Sequence, residues 1–134
     1  VAHPLDTSLA LEPLGPGLWR SPASPLYWNA IGPFGGWIAA SLLDAVLREP
    51  AAQGDAVALQ AQFIASIRQA PFTIATRLIR AGRSTSFWSA EIRQAAEDGG
   101  PEGVCAHATV TLSGWRDTVD LTDAVMPAAP PALT

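Results

Sequence analysis

From Trp37 to Arg48 apolar residues run almost unbroken: Trp37, Ile38, Ala39, Ala40, Leu42, Leu43, Ala45, Val46 and Leu47. The exceptions, Ser41, Asp44 and Arg48, fall at i, i+3 and i+7 and form one narrow stripe. Nothing breaks a helix before Pro50, and the preceding NAIGPFGG, residues 29–36, has the glycines and proline of a tight loop. The pattern predicts a helix from about Gly36 to Arg48, apolar nearly all round and therefore buried. At ~1.5 Å per residue it is about 20 Å long, too short to cross a bilayer. Other parts of the chain must wrap it.

After a connector at 50–55 the period changes to two. Val57, Leu59, Ala61, Phe63, Ala65 and Ile67 alternate with Gln60, Gln62, Ser66 and Arg68, which predicts a long half-buried strand. Pro71 marks a turn, and strands are expected at 72–81, 84–95 and 104–115, separated by Gly82 and by the EDGGPEG run at 97–103. In the last strand Val104, Ala106, Ala108, Val110 and Leu112 share one face, and Cys105, His107, Thr109 and Thr111 the other. Short connections predict an antiparallel meander curled around the helix, an α+β fold. Residues 1–17, with Pro4, Pro13 and Pro16, read as a loop or loosely docked arm, 18–119 as the folded domain, and 120–134 as a proline-containing linker leading to something further.

Composition narrows the function classes. The chain has 134 residues, 49% hydrophobic and 15% charged, enough for one domain with a real core. The low charge content predicts surface buried against another chain or domain, so the chain is expected not to be a monomer. A net charge of −4 argues against non-specific nucleic-acid binding. All eight basic residues are arginines. The single cysteine, Cys105, leaves out an internal disulfide framework, and a cytoplasmic protein is expected. His3, His107 and Cys105 have no metal-site spacing, so neither a metal nor a redox cofactor is expected.

Two stretches resemble a known family. GPFGGWIAASLLDAVL resembles the glycine-pair helix of acyl-CoA thioesterases of the hotdog superfamily, in which an antiparallel sheet wraps one central helix. LQAQFIASIRQAPFTIATRLIRAGRSTSFWSAEIRQ resembles the strand block that follows in the double-hotdog, thioesterase-II-like branch. Its marks here are Phe63, the Arg80-Ala81-Gly82-Arg83-Ser84 turn and Gln94. The resemblance covers roughly residues 18–127 and is to the first half of such proteins. It implies an acyl-CoA substrate, coenzyme A entering only as part of that substrate, and pairing with a second hotdog half or with a copy of itself. The catalytic Asp, Thr and Gln known in that branch lie in the second half and have no counterpart here. A non-catalytic half that supplies core, interface or acyl-CoA binding is the alternative reading.

Candidate residues follow. The N–H groups of Gly35 and Gly36 at the helix start are placed to stabilise an oxyanion, with Phe34 beside them; the same glycines also serve a loop bend. Asp44 is a lone carboxylate on an apolar helix, either a base or part of the helix's solvent line. In one group of single-hotdog thioesterases a helix carboxylate at a similar distance is catalytic, but a His precedes the glycine pair there, where this chain has Phe34. Asn29 either meets substrate or holds the loop. Gln62 stands on a polar strand face as a substrate contact. Arg80 and Arg83, with Arg77, suit coenzyme A phosphates, and a solvated turn explains them equally well. Cys105 and His107 are ~7 Å apart along one strand face, too far for a direct nucleophilic pair.

Overall fold

The computed structural model describes residues 3–22 and 24–130. Its elements are α1 (Pro4–Ser8), β1 (Glu12–Gly15), β2 (Leu18–Ser21), α2 (Gly35–Leu47), β3 (Asp55–Phe63), β4 (Phe72–Ala81), β5 (Thr85–Ala95) and β6 (Glu102–Ser113). The six strands form one antiparallel sheet in the order β1-β2-β4-β5-β6-β3, and α2 packs against β3, β4, β5 and β6. This is the hotdog fold.

The period-two reading of the strands explains the core. Ile74, Trp88, Ala90, Ile92, Ala106, Ala108, Val110 and Leu112 point to the helix side and are buried, as are Trp37, Ile38, Leu42, Ala45 and Val46 of α2. Trp37 is the hub. Its ring lies edge-on to Phe72 at 5.9 Å and to Trp28 at 6.5 Å, and its Nε1–H donates to the Ser8 hydroxyl at 3.1 Å. Near the helix C-terminus, the Glu49 carboxylate accepts from Trp19 Nε1 at 2.8 Å and from the Thr76 hydroxyl at 2.6 Å, tying the connector to β2 and β4.

Four expectations change. The strands are not a simple meander: β3 skips β4 and pairs with β6, setting Leu59, Ala61 and Phe63 opposite Val110, Ala108 and Ala106. A short connection does not force neighbours to pair, and the segment at 64–71 is long enough for β3 to lie on the far edge. Second, β3 is therefore an edge strand whose helix-side face stays open, with Val57 62% and Phe63 59% exposed. Third, the 1–17 stretch is no loose arm where described: α1 and the edge strand β1 are built in, and Ser8 and Leu11 are buried. Fourth, the helix is not covered all round. Ser41 leaves the expected solvent stripe and is buried, its hydroxyl donating to Trp37 O at 2.9 Å. The open side instead carries Gly36, Leu47 and the half-buried Ala40 and Leu43.

Candidate active site

The loop before α2 is held by its own polar groups. The Asn29 side-chain oxygen accepts the N–H groups of Ile31 at 2.9 Å and Gly32 at 3.1 Å, and Asn29 N–H donates to Gly32 O at 3.0 Å. Phe34 N–H donates to Tyr27 O at 2.8 Å, and Trp28 bridges Pro33 across the loop. Asn29 thus spends its side chain on the turn, as asparagine does where a chain reverses.

Phe34 is the N-cap of α2, and no side chain caps this end. Its carbonyl accepts from Trp37 N–H at 3.0 Å and Ile38 N–H at 3.2 Å. Among the described residues, the N–H groups of Gly35 and Gly36 have no acceptor. These two donors therefore sit unpaired at the positive end of the helix dipole. Both glycines also lie close beneath an exposed aromatic ring. A Cβ on Gly35 would lie 3.3 Å from the tip of the Phe63 ring, and one on Gly36 would lie 2.5 Å from Phe34 Cε1.

Gly35 opens onto a cleft of about 230 Å³, which Ile38, Phe63, Ile67 and Cys105 also line. Cys105 is the only ionisable side chain among its described lining residues. Burial pushes that thiol up from its ordinary value, which keeps it protonated and a poor nucleophile. The cleft can take an apolar group beside Gly35, whose free N–H and that of Gly36 lie together at the helix start. It holds no general base of its own.

The other predicted residues lie elsewhere. Asp44 is some 13 Å along the helix from Gly35 at ~1.5 Å per residue. Its carboxylate is paired with Arg48 Nε at 2.6 Å, and Arg48 also reaches Leu9 O at 3.3 Å. Gln62 is on the outer face of the sheet, where its oxygen meets His107 Nδ1 at 2.9 Å; the other ring nitrogen of His107 lies 3.4 Å from the Ser89 hydroxyl. Cys105 does not join that chain of bonds, its thiol facing Gly103 O at 3.7 Å. Arg80 and Arg83 flank the β4–β5 turn. Arg83 lines a separate cavity of about 440 Å³ with Gly82, Ser84 and Ser86. That turn is level with Ser113 of β6, whereas the cleft is level with Cys105. The two are about 25 Å apart at ~3.3 Å per residue, and this chain does not bring them together. The roles of Phe63 and Ile38 as cleft walls were not foreseen; the signals were their apolar positions in the strand and helix patterns and, for Phe63, its place among the marks of the resemblance.

With the site in view, the chain can be set beside known proteins. Residues 24–113 match the family described as acyl-CoA thioesterase N-terminal domain. The chain belongs to this family. Among solved structures, this thioesterase-family chain is similar to a conserved hot dog protein of unknown function from Alicyclobacillus acidocaldarius. That match has 34% identity and a TM-score of 0.82, and covers 98% of this chain and 47% of that one. It is also similar to acyl-CoA thioesterase II TesB2 from Mycobacterium marinum, with 24% identity and a TM-score of 0.68, covering 95% of this chain and 45% of that one. The acyl-CoA hydrolase from Staphylococcus aureus, solved with butyryl coenzyme A, coenzyme A and coenzyme A disulfide, shares the fold. Its identity is 17% and its TM-score 0.64, covering 75% of this chain and 65% of that one. The thioesterase-family chain thus spans about half the length of the first two. No curated protein matches it. No helix among the described residues is long and apolar enough to cross a membrane.

Proposed function

We propose that this chain is the acyl-CoA-binding half of a thioesterase that works as a paired hotdog. The observation that carries the reading is the pair of unpartnered N–H groups of Gly35 and Gly36 at the start of α2, where Gly35 lines a largely apolar cleft. The acyl group enters the cleft and the thioester carbonyl points at the two donors. As water attacks, negative charge grows on that oxygen, and fixed donors at a helix N-terminus lower the barrier because they need no reorganisation. The cleft lining has no carboxylate or imidazole, so the group that activates water comes from across the interface.

The open edge supports that pairing. β3 offers unpaired backbone beside exposed Val57, Leu59 and Phe63, and an edge of this kind is a template for another strand. The partner is a second hotdog half or, in its absence, a second copy; a copy would make the contact isologous. We place the assembly in the cytoplasm. Arg80 and Arg83 are retained as phosphate contacts for coenzyme A, reached across the assembled pair rather than within one chain.

Leu59→Arg tests this reading. It places a charge on the β3 edge, where Leu59 is 38% exposed, and is expected to leave a folded monomer by sedimentation. Release of free coenzyme A should then fall at least tenfold. Full hydrolysis by a demonstrated monomer would remove the shared site. Asp44→Ala gives a second check. The Asp44–Arg48 pair is a partly exposed i, i+4 contact of about 0.3–0.5 kcal/mol, and its carboxylate is remote from the cleft. Turnover is expected to stay within about twofold, well under the tenfold step that ~1.4 kcal/mol represents. A tenfold loss with stability unchanged would make Asp44 the base.

A further inference from the structure

The cleft beside the glycine turn is shallow for a structural reason. Its inner end is closed by Ile38, Ile67 and Cys105, which are 5%, 5% and 7% exposed. Ile67 belongs to the irregular segment at 64–71 between β3 and β4. An irregular segment makes a firm wall only if something fixes its backbone, and here two devices do. At one end the Cys105 carbonyl accepts from both Ile64 N–H, at 2.9 Å, and Ala65 N–H, at 3.0 Å.

At the other end stands the side-chain amide of Gln94. Its Oε1 accepts Arg68 N–H at 2.9 Å, and its Nε2 donates to Arg68 O at 3.1 Å and Ala70 O at 2.9 Å, with Pro71 O at 3.5 Å. Gln94 is 6% exposed. A primary amide buried this far must have its donors and acceptor satisfied, and all of this one's bonds go to a single stretch of backbone. That stretch begins at the residue after Ile67. The amide therefore acts as a substitute strand, clamping the segment so that the Ile67 side chain is driven into the cleft floor.

We propose that Gln94 is a positioning residue for acyl-chain selection, holding Ile67 as the stop that restricts the cleft to short acyl groups. The inference rests on the acyl-CoA reading above and names its substrate class. The part of the cleft that this chain forms measures roughly 230 Å³, with Ile67 among its lining residues. A chain that reaches Ile67 must either push it back, breaking the bonds of Gln94, or turn out toward solvent.

The test is a kcat/KM series on the complete protein carrying this chain, with acetyl-, butyryl-, hexanoyl-, octanoyl- and dodecanoyl-CoA. The wild type is expected to peak at the short end. Ile67→Ala removes the stop without touching the clamp. It should raise the octanoyl-to-butyryl ratio about tenfold, the lower range of what a misfit methylene is worth in an apolar pocket. Gln94→Ala should move the ratio the same way. Gln94→Glu, which keeps an acceptor for Arg68 N–H but sets an oxygen against the carbonyls in place of the donor, should move it at least as far. A merely structural role would lower all five rates together and leave the ratio alone. A wild-type optimum at dodecanoyl-CoA, or a ratio unmoved in Ile67→Ala, overturns the stop while leaving the thioesterase reading in place. No binding or hydrolysis of any of the five by the wild type overturns both.

Discussion

Replacing Gly35 with proline is expected to cut turnover about 10²–10³-fold while leaving the protein folded, the cost of removing one oxyanion donor. Gly35 is the first residue of α2. Proline suits that position, because its missing N–H is one the helix does not use and its fixed φ matches the helix. The residue before a proline must be extended, and Phe34 already is, at φ −61 and ψ 127. The added carbons meet the tip of the Phe63 ring, which is 59% exposed and free to shift a few tenths of an ångström. The substitution thus removes one N–H from the cleft mouth with little else. Unfolding midpoints should stay close to wild type while kcat falls and KM moves less, the signature of an interaction made in the transition state. Unchanged kcat in a folded Gly35→Pro protein would take the Gly35 N–H out of the chemistry.

Trp37→Ala is expected to cost about 3–5 kcal/mol, and more of the site than its position suggests. Trp37 is 1% exposed and sits where α2, the N-terminal segment and β4 meet. Truncation leaves a cavity against Phe72 and Trp28, loses two edge-to-face ring contacts, and removes the donor that ties α2 to the Ser8 hydroxyl, which keeps its own bond to Leu5 O at 2.8 Å. Against the ~5–15 kcal/mol of a typical domain this is a large share, and thermal scans should show Tm lower by roughly 10–20 °C. Trp37→Phe, which keeps a ring but loses the Ser8 bond, should recover most of the difference. A loss below ~1 kcal/mol for Trp37→Ala would mean that the helix does not depend on this hub.

The sequence made some of this visible, and physics says which part. Period-two alternation placed β4 at 72–81 as observed and β5 and β6 to within two residues, because one face of each strand had to be apolar, but it carried β3 past its end at Phe63 to Arg68 and left β1 unread. The helix was readable because its apolar run is almost unbroken, and the glycine turn because glycines and a proline mark a tight turn. Strand order was not readable. The same face of β3 is apolar whether it lies beside β4 or β6, and only packing decides. Ser41 was assigned to solvent on polarity alone, yet a serine in a helix can satisfy itself on the carbonyl four residues back and be buried. Gln94 was noticed only as a mark of the family resemblance. Its value comes from backbone at 68–71, more than twenty residues away in the chain, and no local pattern announces that. Arg80 and Arg83 were grouped with the glycine turn by chemistry, but the sheet sets them at its opposite end.

The most direct test of the central claim is amide NMR on the paired protein, titrated with a butyryl-CoA analogue in which a methylene replaces the thioester sulfur, so that the carbonyl is kept and hydrolysis is blocked. The account predicts that the Gly35 and Gly36 N–H resonances move downfield together and saturate with the ligand, alongside shifts at Ile67 and Cys105. Saturable binding with Gly35 and Gly36 unmoved, and the shifts confined to the outer sheet face around Gln62 and His107, would contradict it.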